Sequence, residues 1–159
     1  MSAVPNPTPS ERLRELGITL PAVATPAGAY IPARRTGNLV FTAGQVPFVD
    51  GELAATGKVG AEVDAEEANR LARICTLNAL AAVDGLVGID AVTGVVKVVG
   101  FVASATGFTG QPGVVNGASD LLGEVFGEAG AHARSAVGVA ELPLGAPVEV
   151  ELVVEVAGT

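Results

Sequence analysis

The sequence predicts an α+β fold, a single domain in which two main helices pack on one face of a sheet. Three observations carry that expectation. Strand-like and helix-like segments follow one another in the order strands, helix, strand, helix, two strands, which builds one layer of sheet under one layer of helices. The last strand alternates: Val148, Val150, Leu152, Val154 and Val156 face one way, and Glu149, Glu151, Val153 and Glu155 the other. At 159 residues the chain is long enough for one core and too short for two, with no linker to divide it. The domain is expected to span residues 1–159.

Taken in order, residues 1–9 are rich in Pro, Ser, Thr and Asn and are expected to fray. Residues 10–17 form a short extra helix, with Ser10 as N-cap and Gly17 as stop. Tyr30 to Pro32 is a short extended piece. After the turn signal Arg35-Thr36-Gly37-Asn38, Leu39 to Ala43 is a mostly buried strand, and Pro47 with Asp50-Gly51 marks the next turn. Asp64 opens the clearest helix, with Glu67 as capping-box partner, apolar positions from Ala68 to Ala82, and an end at Asp84-Gly85. Val92 to Ala103 is a central strand of β-branched residues, despite Gly94 and Gly100. A second helix starts near Pro112, carries the stripe Val114, Ala118, Leu121 and Val125, and closes at Gly127 or Gly130. The last third is expected to be a hairpin: Arg134 to Leu142, a turn at Pro143-Leu144-Gly145-Ala146, then Val148 to Val156.

Composition excludes several function classes. Hydrophobic residues at 49% with 16% charged exclude a disordered chain. A net charge of −8 lacks the positive field that nucleic acid requires, so no nucleic-acid partner is expected. The uncharged stretches Leu16–Ala33 and Val98–Ser119 are broken by Pro, Gly, Gln or Asn, so neither reads as a signal peptide or a membrane span. A single cysteine, Cys75, forms no internal disulfide and supports no multi-thiolate zinc site; a cytoplasmic location without metal follows as the expectation. The apolar fraction rests on Ala and Val rather than aromatics, so subunit interfaces are expected to complete the core and cover the open face of the sheet.

Few residues carry chemistry. His132 is the one histidine, no G-x-S-x-G elbow accompanies it, and Ser135 lies in a strand, so a hydrolase triad is not expected. Cys75 sits mid-helix among apolar residues and reads as an inert core thiol. No glycine-rich segment has the spacing of a P-loop or Rossmann turn. Arg134 and Glu149 stand out. If the hairpin holds, they lie near one open end and adjacent across the ladder, either as a cross-strand ion pair or as a carboxylate grip beside a proton-moving acid. From spacing alone the ion pair is the commoner arrangement. Glu151 and Glu155 read as solubilising, Tyr30 as packing, and Asn116 as a surface amide.

Two blocks change this balance. Gly37-Asn38-Leu39-Val40-Phe41-Thr42-Ala43-Gly44-Gln45-Val46-Pro47 resembles the first signature of the RidA (YjgF) family. Ala133-Arg134-Ser135-Ala136-Val137-Gly138-Val139-Ala140-Glu141-Leu142-Pro143, followed by Val148-Glu149-Val150-Glu151, is similar to its C-terminal signature. The extra helix and Asn116 to Leu122 resemble a longer, less characterised branch. The resemblance implies a chorismate-mutase-like mixed sheet, assembled as a homotrimer with a central barrel and clefts between subunits. It also implies an enamine/imine deaminase that hydrolyses 2-aminoacrylate-like intermediates to 2-keto acids and ammonia without a cofactor. By the same resemblance Arg134 grips the substrate carboxylate, Glu149 lies near the attacking water, and Tyr30, Asn116, Ala136 and Gly44 line the cleft. Ala136 stands where many members carry cysteine, and Ala43 where many carry serine. The alternative is a non-catalytic trimeric binder of small metabolite acids; some relatives also carry an endoribonuclease label.

Overall fold

The computed structural model describes residues 3–158; Met1 and Ser2, within the stretch expected to fray, and Thr159 lie outside it. In chain order the elements are α1 (Pro9–Glu15), β1 (Ala33–Thr36), β2 (Leu39–Thr42), β3 (Phe48–Val49), β4 (Glu52–Leu53), α2 (Ala65–Val87), β5 (Val92–Ala103), α3 (Gln111–Phe126), β6 (Ala133–Val139) and β7 (Val148–Val156). Five strands form one mixed sheet in the order β1-β2-β7-β5-β6, and β3 and β4 pair by themselves. Only β5 and β6 run parallel; the other neighbours are antiparallel.

The two long helices pack on the same face of this sheet. From α2 come Ala68, Leu71, Ala72, Cys75 and Leu80, and from α3 Val114, Val115, Ala118, Leu121 and Leu122, all fully buried. They meet Val98 and Val102 of β5 and the even-numbered side of β7, from Val148 to Val156. With so few aromatics, valines make up most of the core and a handful of leucines its largest side chains, each fully buried one contributing about 1.5–3 kcal/mol. Small residues let the layers approach closely. A Cβ on Gly100 would overlap the Val115 side chain, and one on Gly117 would strike the Asn69 carbonyl of α2. These two glycines set the spacing of α3 against β5 and against α2.

Several expectations are corrected. The final hairpin does not form: β6 and β7 are both strands, but β5 lies between them and pairs with each. The β5–α3–β6 crossover makes β6 parallel to β5, and the turn at Pro143–Gly145 carries the chain across to the other side of β5. Arg134 and Glu149 are therefore not ladder neighbours. The N-cap of α1 is Thr8, which accepts from the Glu11 amide in a full capping box, whereas Ser10 is held by Asp90 (Ser10 N to Oδ1 2.8 Å, Oγ to Oδ2 2.6 Å). Asp64 caps α2 as expected, but Glu67 turns to Arg70 instead of completing a box, and the helix runs a turn past Asp84 to Gly88. The extended piece at Tyr30–Pro32 is a bend, with strand pairing starting at Ala33.

Among the described residues no helix packs on the opposite face of the sheet. Phe41, Val99, Phe101, Val137 and Val153 lie on it beside Glu149, Glu151 and Glu155, and Phe41 and Val137 are more than 40% exposed (44% and 42%). One edge of the sheet, β6, has no strand partner beyond β5 among the described residues.

Candidate active site in two halves

The residues singled out by sequence fall into two groups. The first group is Glu149, Gly44 and Tyr30, which line a cleft of about 450 Å³ with mostly apolar walls, among them Pro32, Val46, Phe48 and Leu144. The cleft exists because β2 stops pairing with β7 at Phe41–Val153. Thr42 then takes the Leu152 amide on its hydroxyl (3.0 Å), and pairing resumes only at Gln45–Val150. The intervening Ala43-Gly44 bows outward, and the Glu149 side chain rests against the bare Gly44 backbone. A Cβ built there would lie 2.5 Å from Oε1 and 2.8 Å from Cδ of Glu149. Tyr30 enters from the proline-rich segment that follows α1, its hydroxyl accepting from the Ala27 amide at 3.2 Å.

The pKa of the Glu149 carboxyl is raised from its ordinary value, first because burial disfavours its anion and second because Glu151 adds like charge. A carboxyl so placed exchanges a proton closer to neutrality than a surface glutamate does. Cys75 lies on the helix side of β7, fully buried, its thiol donating to the Val148 carbonyl at 3.6 Å. Burial, and then the charge of Glu149, push that thiol well up, which fits the inert role expected of it.

The second group is Arg134, Asn116 and Ala136. Arg134 pairs with Val98, whereas Glu149 pairs with Phe101, three residues further along β5 and on its other side. That offset separates them by about 10 Å along the strand and about 10 Å across it. An odd offset also sends them to opposite faces. Arg134 and Ala136 face α3, Glu149 the open side. The expected cross-strand ion pair does not exist. The Arg134 guanidinium instead donates from Nη1 to Asn116 Oδ1 (2.7 Å) and Ser119 Oγ (3.2 Å), and from Nη2 to the Pro112 carbonyl (3.4 Å). All three acceptors are neutral, so the half-buried cation has no counter-ion among the described residues. That arrangement suits an incoming anion.

Sequence reasoning missed Ser119 and His132. His132 Nε2 lies 2.9 Å from Ser119 Oγ, and its Nδ1 lies 2.6 Å from the Gly130 carbonyl. The signals were present: His132 precedes Arg134 by two residues, just ahead of β6, and Ser119 follows Asn116 by three on α3. No cluster of three or more His, Cys, Asp or Glu suited to a metal occurs among the described residues. Among them, too, no helix is long and apolar enough to cross a membrane.

A mixed sheet with helices on one face, a bowed Ala43-Gly44 beneath an acid and an arginine on the far strand define a class that comparison makes explicit. Residues 10–156 match the family model described as "YjgF/chorismate mutase-like, putative endoribonuclease", and the chain belongs to this YjgF/RidA family. It is 44% identical to Protein TCP17 of Trypanosoma cruzi over 98% of both chains. Among solved structures it is similar to Atu1372 of Agrobacterium tumefaciens, a protein of unknown function (44% identity, TM-score 0.84, 92% of this chain and 91% of that one). A Shewanella oneidensis protein bearing the same endoribonuclease label superposes with TM-score 0.91 at 34% identity, over 94% of this chain and 100% of that one. The expected family and its chorismate-mutase-like α+β fold are borne out.

Proposed function

We propose that the protein is an enamine/imine deaminase acting on small 2-imino acids, working as a homotrimer whose sheets form a central barrel. One observation carries this reading: the acid and the cation of the site sit on opposite faces of one subunit, the acid lining a cleft and the cation held by neutral acceptors alone. A second copy laid against the uncovered sheet face and the free β6 edge would bring the Arg134 half of one subunit to the Glu149 half of the next. In that cleft the guanidinium holds the substrate carboxylate, and Glu149 receives a proton from water as it adds to the C=N carbon. The same carboxyl then returns that proton to the nitrogen and takes the hydroxyl proton as the C–N bond breaks and the C=O bond forms, leaving 2-keto acid and ammonia. An iminium is already electrophilic, so positioning and a proton path supply most of what the reaction needs. Substrate, product and partner copy are the expected partners, and the reducing cytoplasm the expected compartment.

The test is release of ammonia and pyruvate from 2-aminoacrylate generated in place by a pyridoxal-phosphate dehydratase. Acceleration over the spontaneous rate, lost in Glu149→Gln, is expected. Arg134→Ala is expected to weaken pyruvate binding by about 1.5–3 kcal/mol, the range for hydrogen bonds to charged groups. Pyruvate binding without acceleration would favour a non-catalytic acid binder. Salt-dependent RNA cleavage would favour the nuclease label carried by relatives; the net charge of −8 argues against it.

A further inference from the structure

We propose that Ser119 and His132 are positioning residues that fix the fork of Arg134, an inference that rests on the small-acid reading of the site. The argument is one of hydrogen-bond direction. The Gly130 carbonyl only accepts, so the His132 Nδ1 that lies 2.6 Å from it must carry the proton. A neutral imidazole then has a bare Nε2, which must accept from the Ser119 hydroxyl 2.9 Å away. With its proton committed to His132, Ser119 Oγ presents only lone pairs to Arg134 Nη1 at 3.2 Å. The chain therefore runs one way, Arg134 to Ser119 to His132 to Gly130, anchored on backbone.

The consequence lies in what remains of the guanidinium. Asn116 and Ser119 take the two protons of Nη1, and Pro112 takes one from Nη2. Nε–H has no acceptor among the described residues, and Nη2, with one proton unclaimed, lies on the same edge of the fork, the edge that a carboxylate accepts bidentately. Ser119 and His132 touch no substrate in this arrangement; they hold the fork so that its free edge is presented in one orientation. Asn116 by itself would leave the planar guanidinium free to turn as a unit about the Cδ–Nε bond.

Because His132 is the single histidine, the imidazole nitrogens of the ¹⁵N-labelled protein report on one residue. At a pH where the ring is neutral, the Nδ1–H form is expected; an Nε2–H ring would overturn the pair. Pyruvate titration supplies the second arm. Ser119→Ala should weaken binding about five- to tenfold and raise KM without lowering kcat, and Ser119→Thr, which keeps the hydroxyl, should restore wild-type affinity to within about twofold. Equal affinity in wild type and Ser119→Ala would overturn the positioning role while leaving the deaminase reading intact. Should the wild type bind no keto acid, it is the deaminase reading that falls. The pair then survives only if the ring is Nδ1–H and its Nε2 resonance shifts on Arg134→Lys.

Discussion

Gly44 and Glu149 show how one missing side chain places another. Gly44 has no left-handed backbone to require glycine; what requires it is the Glu149 carboxylate, which occupies the space of its Cβ. The obstructed group is the far end of a flexible side chain, so Gly44→Ala moves the carboxylate rather than the backbone. Turnover is expected to fall at least tenfold while the thermal midpoint changes little; a variant equally active would show that the position of the acid is immaterial. Glu149 has a matching signature in stability. Its folded pKa is raised by burial and by Glu151, so the native state favours the protonated form. That contribution is complete below the unfolded pKa and is lost as pH rises through the folded one. Glu149→Gln, neutral throughout, is therefore expected to melt higher than wild type near pH 8, with the gain disappearing as pH falls into the ordinary carboxylate range. Thermal scans across that interval check it, and a variant less stable at pH 8 would contradict the desolvation.

At the scale of elements, close packing of α2, α3 and β5 rests on glycine where helix propensity argues for alanine. In an exposed helix Gly→Ala gains about 1 kcal/mol. At Gly117 the added methyl meets the Asn69 backbone carbonyl, which cannot move without shifting α2. Overpacking costs about 1–3 kcal/mol, so Gly117→Ala is expected to be net destabilising in urea titration. A stabilised variant would mean that the helices separate freely. These elements were also the ones most legible in sequence. The span of β5 and the start of α2 at Asp64 follow from patterns confined to their own residues, a β-branched run and an N-cap. What was illegible was pairing. Pro143–Ala146 carries a sound turn signal, yet nothing local says whether the chain doubles back on β6 or steps over β5 to its far side. That single ambiguity misplaced Arg134 beside Glu149. Ser119 and His132 went unread for the same reason, since their meeting depends on how α3 lies over β6.

At the scale of the whole molecule, the uncovered face, the open β6 edge and the divided site ask for the same thing, a second copy. Sedimentation at micromolar concentration is expected to give a trimer; a stable monomer would leave each half-site facing solvent. A cleft shared between subunits has a stricter consequence. Arg134→Ala and Glu149→Gln subunits are each expected to be inactive as pure assemblies. Unfolded together in equal amounts and refolded, they form mixed trimers in which about a quarter of the clefts unite an intact Arg134 from one subunit with an intact Glu149 from its neighbour. Such a mixture is expected to recover about a quarter of wild-type deaminase activity, whereas a mixture as inactive as its two components would contradict a site built between subunits.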